Sequence, residues 1–162
     1  MAKVKEEKTN VMRTLEQKKI SYTAYTYPTE GGAMDGVSVA AYLGVDPEEV
    51  FKTLVAKGAS GQYYVFDIPV AESLDLKKGA KAVGEKSIAM LPQKELLPLT
   101  GYVHGGCSPV GMKKPFPTVS HETAEILDRI MVSAGKIGFQ IQCRPEDLIA
   151  LVGATTADVT VE

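Results

Sequence analysis

Val50-Phe51-Lys52-Thr53-Leu54-Val55-Ala56-Lys57, then Gly58-Ala59-Ser60-Gly61, then Gln62-Tyr63-Tyr64-Val65-Phe66-Asp67-Ile68-Pro69 is the stretch that decides the class of fold. Two runs rich in β-branched and aromatic residues flank a glycine-bounded turn, the pattern of a β-hairpin. Few polar positions interrupt either run, so both strands are expected to be mostly buried. Just upstream, Asp46-Pro47-Glu48-Glu49 is a helix-start signal. The aspartate caps, the proline takes the first position and the acids face the positive end of the dipole.

Before the hairpin, residues 10–19 predict a helix with Val11, Met12 and Leu15 on one face and Asn10 as its cap. Residues 21–27 predict a strand ended by Pro28, residues 29–36 a loop, and residues 37–43 a helix stopped by Gly44. After the hairpin, residues 76–83 form a basic helix between Asp75 and Gly84, followed by a strand over 87–91 and a brief helix over 93–97 before Pro98. A strand over 102–104 is expected to run into a glycine-rich loop, and Ser120 to cap a helix over 121–127. Strands over 129–133 and 139–143 flank the turn 135–138, and in the second Phe139, Ile141 and Cys143 alternate with Gln140 and Gln142. Pro145-Glu146-Asp147 opens a last helix ending at Gly153, before a closing strand over 158–161. There is no regular βαβ rhythm, no internal repeat and no linker. The expectation is a single α+β domain over 1–162 with a mixed sheet.

Composition narrows the function classes. Lysine and arginine number 18 against 20 acids, a formal charge of −2, and a freestanding nucleic-acid binder normally carries a strong basic excess. Any nucleic-acid contact is therefore expected to be local or partner-assisted. Two cysteines, Cys107 and Cys143, make no disulfide framework, which fits a reducing compartment. The polar first ten residues lack a signal-peptide core, and no apolar run approaches the roughly 20 residues of a membrane span. A cytoplasmic protein with no membrane association is the expectation.

Lys52 draws attention because strand alternation sets it in a row with Val50, Leu54 and Ala56. A lysine there must snorkel to water, pair, or serve a site, and the pattern alone leaves all three open. The second feature is Gly101-Tyr102-Val103-His104-Gly105-Gly106-Cys107-Ser108-Pro109-Val110-Gly111. The adjacent glycines Gly105 and Gly106 allow close backbone approach with N–H groups aimed at a ligand; Ser108 adds a hydroxyl and Pro109 stiffens the exit. Such a loop can cradle a carbonyl or be an irregular turn. Lys113-Lys114 could touch phosphate or be solvated surface. Cys107 invites a nucleophilic role with His104 or His121 as base, but no spacing forces them together. Metal-ligand spacing and a GxSxG elbow are both missing, so metal-free chemistry without a serine triad is expected.

Phe51-Lys52-Thr53-Leu54, the loop 101–114 ending Gly111-Met112-Lys113-Lys114, and Val132-Ser133-Ala134-Gly135-Lys136-Ile137-Gly138 together resemble the YbaK/EbsC family, in the same order and at the same separations. The resemblance extends from the first helix to Leu151-Val152-Gly153-Ala154. It implies a domain related to the editing insertion of bacterial prolyl-tRNA synthetase, a mixed, barrel-like β-sheet flanked by helices. It implies hydrolysis of cysteine mischarged onto proline tRNA, without a cofactor or metal. Carried over, Lys52 is the essential lysine and Gly105 gives a backbone contact to the aminoacyl group. Tyr27, Thr53 and Ser133 match pocket positions, with Gly106, Ser108 and Pro109 completing the substrate loop. The substrate's own thiol is the implied nucleophile, which demotes Cys107. Lys113 and Lys114 are candidate tRNA contacts.

The near-neutral charge then suggests that only the tRNA(Pro) acceptor end is seen, presented by prolyl-tRNA synthetase. Departures from the family pattern are Tyr25, where histidine is common, Ile137, where a basic residue is common, and the loop 29–36. Two rivals stay open: a deacylase for another small mischarge such as Ala-tRNA(Pro), and a non-catalytic synthetase- or nucleotide-binding module.

Overall fold

The computed structural model describes residues 8–31 and 34–161. Its elements begin with α1 (Asn10–Gln17), β1 (Thr23–Thr26), α2 (Gly36–Leu43), β2 (Phe51–Gly58) and β3 (Tyr63–Pro69). They continue with α3 (Leu76–Val83), β4 (Ile88–Met90), α4 (Leu96–Thr100), β5 (Thr118–His121) and β6 (Ile130–Ser133). β7 (Phe139–Cys143), α5 (Pro145–Val152) and β8 (Thr155–Ala157) complete the order.

The hairpin is the centre of the fold. β2 and β3 pair antiparallel from Phe51–Pro69 to Lys57–Tyr63. β4 extends this sheet antiparallel beside β2, while β5 and β8 extend it in parallel beyond β3, giving the order β4-β2-β3-β5-β8. A second, antiparallel sheet runs β1-β7-β6. One parallel bridge, Val50 to Met131, joins the two. The α+β class and the mixed sheet are as expected, but among the described residues the two sheets are bridged only here and do not close, so the barrel-like description is loose.

Three apolar clusters follow from this layout. Val11, Met12 and Leu15 of α1 pack with Phe51, Val132, Ile141 and Leu148 under the three-stranded sheet. Phe66, Ile68, Ala80, Val119 and Val159 fill the space between the larger sheet and α3. Ala40, Val50, Val70 and Met131 seal the junction of the sheets. Each fully buried side chain such as Phe66 or Ile141 contributes roughly 1.5–3 kcal/mol relative to leaving it in water.

Several local expectations need correction. Thr9, not Asn10, caps α1, its side chain accepting from the Met12 amide. α4 runs through Pro98, because a first-turn N–H has no helical partner to lose. Residues 102–104 form no strand. Ser120 caps no helix: it lies buried in β5 between β3 and β8, and only a 3-10 segment, Glu122–Ile126, follows. The C-terminal strand is Thr155–Ala157, and Thr160 instead makes an isolated bridge to Leu74. Among the described residues, no helix is long and apolar enough to cross a membrane.

Candidate active site

β4 flanks β2 only at Ala56–Gly58, and the Val50–Met131 bridge ties down the start of β2. Between them no strand among the described residues lies beside the outer edge of residues 51–54, so side chains from both faces can reach one space. That space is a cleft of about 350 Å³ lined by Lys52 and Thr53 of β2, Tyr27, Ser133, Gln140 and Gly105, with Val37, Val50, Val70 and Leu96 among its apolar wall. Five of the residues singled out in the sequence therefore converge: Tyr27, Lys52, Thr53, Gly105 and Ser133.

Lys52 enters the cleft through apolar neighbours and makes no hydrogen bond or ion pair among the described residues. Burial holds its pKa below the ordinary lysine value, and the charge of Glu72 partly offsets this. An ammonium so placed interacts more strongly with a developing negative charge than one in water.

The loop 100–113 is tied to itself. The Tyr102 amide donates to Thr100 Oγ1 at 3.0 Å, the Tyr102 hydroxyl to the Val110 carbonyl at 2.5 Å, and the Lys113 amide to the Thr100 carbonyl at 3.0 Å. These bonds replace the strand ladder expected over 102–104. Gly105 sits at φ +92°, a left-handed conformation that side chains rarely adopt, and its N–H donates to no backbone carbonyl among the described residues. The His104 and Cys107 amides beside it are likewise without a backbone acceptor among the described residues.

The Gly106 amide donates to the Val103 carbonyl, and a Cβ there would meet the Ile137 backbone nitrogen at 3.0 Å. Ser108 is fully buried and its hydroxyl accepts from the Val110 amide. Pro109 and Lys114 border a different hollow beside Leu151 and Val152, and Lys113 borders a third with its ammonium on the Pro98 carbonyl. Gly106, Ser108, Pro109, Lys113 and Lys114 are thus outside the lining of the cleft.

Cys107 reaches the cleft wall, but burial pushes its thiol up to about 12, and the charge of Asp67 adds to this. Cys143 is also buried, with its thiol at about 12. A thiolate is the reactive form, so neither cysteine is primed as a nucleophile. Iodoacetamide at pH 8 is expected to label neither in the native protein and both after unfolding; rapid native labelling would contradict this. His121 is bound elsewhere, its Nδ1 accepting from the Val159 amide at 3.2 Å. Exposed His104 borders the cleft, and no hydrogen bond joins either histidine to Cys107. Among the described residues, no three His, Cys, Asp or Glu side chains group as metal ligands.

Two site features escaped the sequence reading. Asp67, only 2% exposed, stands opposite Thr53 and accepts its hydroxyl at 2.6 Å. Burial raises its carboxyl to about 7, partly offset by that bond. A single carboxylate inside the apolar run 62–69 was the available signal. Gln140, opposite Ser133 across β6 and β7, is 7% exposed, and its Oε1 has no hydrogen-bond partner among the described residues. Its signal was weaker, since alternation in β7 treats both glutamines as the polar side of a strand.

The raised Asp67 carboxyl makes a stability prediction. Its folded pKa lies above the unfolded value, so its stabilising contribution is complete below about pH 4 and is lost as pH rises through about 7. Asp67→Asn removes this term and keeps an acceptor for Thr53. The melting-temperature difference, variant minus wild type, is expected to grow between pH 4 and pH 8, by the equivalent of about 2–4 kcal/mol. A difference independent of pH would contradict it.

Residues 31–151 match the model of the aminoacyl-tRNA editing domain, three-quarters of the chain. The chain belongs to the aminoacyl-tRNA editing domain family, in its YbaK/EbsC branch. This editing domain is 45% identical over 161 residues to a protein of Enterococcus faecalis provisionally named Cys-tRNA(Pro)/Cys-tRNA(Cys) deacylase EbsC, covering 99% of this chain and 98% of that one. Its fold matches the crystal structure of a candidate trans-editing enzyme for prolyl tRNA synthetase with TM-score 0.81 at 26% identity, covering 94% of this chain and 95% of the other. Hypothetical protein APE2540 shares the fold at TM-score 0.84 and 23% identity, with 94% and 100% covered.

Proposed function

We propose that this chain, as one editing domain over 1–162, hydrolyses the ester of Cys-tRNA(Pro) in trans. The observation that carries the reading is a half-buried lysine, without a hydrogen-bond or ion-pair partner among the described residues, that lines one cleft with Gly105 and the polar side chains of Tyr27, Thr53 and Ser133. An aminoacyl ester is already activated, so the site needs to place it and stabilise charge on its carbonyl oxygen. Lys52 and the Gly105 N–H supply that stabilisation; Tyr27, Thr53 and Ser133 hold the aminoacyl group.

The nucleophile arrives with the substrate. The cysteine thiol loses its proton and its sulfur attacks the ester carbonyl carbon. The carbon–oxygen ester bond then breaks, and the ribose oxygen leaves with a proton as the hydroxyl of the tRNA 3′ end. The resulting thiolactone is opened by water to free cysteine. The high pKa of the Cys107 thiol supports a route in which the protein gives no sulfur of its own.

The near-neutral chain supports contact with the acceptor end only, in the cytoplasm, with prolyl-tRNA synthetase presenting the tRNA. The names of the E. faecalis relative and of the trans-editing structure favour the same substrate and partner. Lys113 and Lys114, which border the two other hollows, remain candidate phosphate contacts. The test is release of cysteine from purified Cys-tRNA(Pro), with and without the synthetase. Release above the spontaneous rate, increased when the synthetase is present, is expected; no acceleration would reject the reading.

A further inference from the structure

The chemistry above uses a cation and a backbone donor at the ester carbonyl and does not say which atoms receive the α-amino group of the substrate. Thr53 lines the cleft, and its hydroxyl proton is committed to Asp67 Oδ1 at 2.6 Å. A hydroxyl whose proton is committed in this way can only accept from a second partner, so a ligand in the cleft meets Thr53 Oγ1 as an acceptor. Gln140 also lines the cleft, and its Oε1, in a side chain more than nine-tenths buried, has no hydrogen-bond partner among the described residues. A buried acceptor left unpaired costs stability, and a ligand that donates to it recovers that cost. Asp67 itself is out of reach of solvent, held among Thr53 of β2, Ser120 of β5 and the Cys107 thiol. It acts on the cleft through Thr53.

We propose that Thr53 Oγ1 and Gln140 Oε1 form a subsite for the protonated α-amino group of the aminoacyl ester, with Asp67 as the positioning residue that fixes Thr53 as an acceptor. The proposal rests on the deacylase reading and deepens it. An α-ammonium brings three donors and a positive charge, and the subsite offers two acceptor oxygens to it. A neutral acyl group of the same length offers nothing to these atoms. The subsite therefore separates aminoacyl esters from simple thioacyl esters that could undergo the same sulfur chemistry.

The experiment compares Cys-tRNA(Pro) with 3-mercaptopropionyl-tRNA(Pro), which keeps thiol and ester but lacks the amine. Each enzymatic kcat/KM is divided by the spontaneous hydrolysis rate of that ester, because the ammonium also activates the ester chemically. Wild type is expected to favour the cysteinyl substrate at least tenfold after this correction, mainly through KM. Gln140→Leu and Asp67→Leu each reduce that preference at least fivefold, and Asp67→Asn, which restores an acceptor for Thr53, brings it back. A wild-type ratio near one overturns the subsite while the deacylase reading stands. So does an equal slowing of both substrates by the leucine variants, the mark of a purely structural role. Failure of wild type to cleave either ester rejects the deacylase reading and this inference with it.

Discussion

Replacing Lys52 with alanine is expected to lower kcat for Cys-tRNA(Pro) by about 100-fold or more, the size seen when a preorganised charge-stabilising donor is removed. The physical case is the site of the lysine rather than its charge alone. A surface lysine would lose most of its effect to water, but this one stands in an apolar wall where burial has already lowered its pKa. It pays its desolvation cost in the folded protein, before substrate arrives, and negative charge on the ester oxygen then gains a partner without solvent reorganisation. Lys52→Arg is expected to recover little, since a planar guanidinium does not fit a point-charge position in a narrow wall. Stability should change little or rise in the alanine variant, because a poorly solvated cation is removed. Full deacylation by a folded Lys52→Ala protein would contradict the proposed mechanism.

The second large effect concerns the substrate. Cys-tRNA(Pro) is expected to be cleaved at least about 100-fold faster than Ser-tRNA(Pro), because a thiol near pKa 8.5 supplies thiolate that a hydroxyl cannot match. The two side chains differ by one atom, so fit alone, worth only about 10–200-fold even for a methylene difference, is a weak discriminator here. The split should appear in kcat more than in KM, since both substrates offer the same amine, ester and tRNA. Equal rates would remove substrate-thiol attack as the main route and leave water, positioned by the same cleft, as the nucleophile.

Much of this was legible in the chain itself. The β2–β3 hairpin followed from two apolar runs around a glycine turn, and α3 between Asp75 and Gly84 from its cap and stop residues. Lys52 stood out because alternation placed a charge in an apolar row. The misreadings share a cause: their decisive partners are distant in sequence. Ser120 has a cap-like neighbourhood, yet parallel pairing with β3 and β8 commits its backbone to a strand. The segment 102–104 has strand composition, but Thr100, Val110 and Lys113 tie it into a closed loop. Gly106 and Ser108 look like ligand contacts in the sequence, and tertiary packing turns one against the Ile137 backbone and the other inward. Asp67 and Gln140 gain meaning only when β2 faces β3 and β6 faces β7, because a polar residue is a site candidate through what it fails to pair with.

The open edge of β2 explains why one short strand can serve a site from both of its faces. A β4 long enough to pair with residues 51–54 would bury Lys52 and Thr53 on opposite sides of a closed sheet. Because it stops at Met90, opposite Ala56, the lysine and the threonine share one cleft.

The measurement that bears most directly on the central claim is side-by-side deacylation of Cys-tRNA(Pro) and Ala-tRNA(Pro) by the wild-type protein under identical conditions. The account predicts rapid release of cysteine and slow release of alanine, whose methyl group fits the cleft but brings no nucleophile. Faster release of alanine would contradict it and assign the cleft to the other small mischarge.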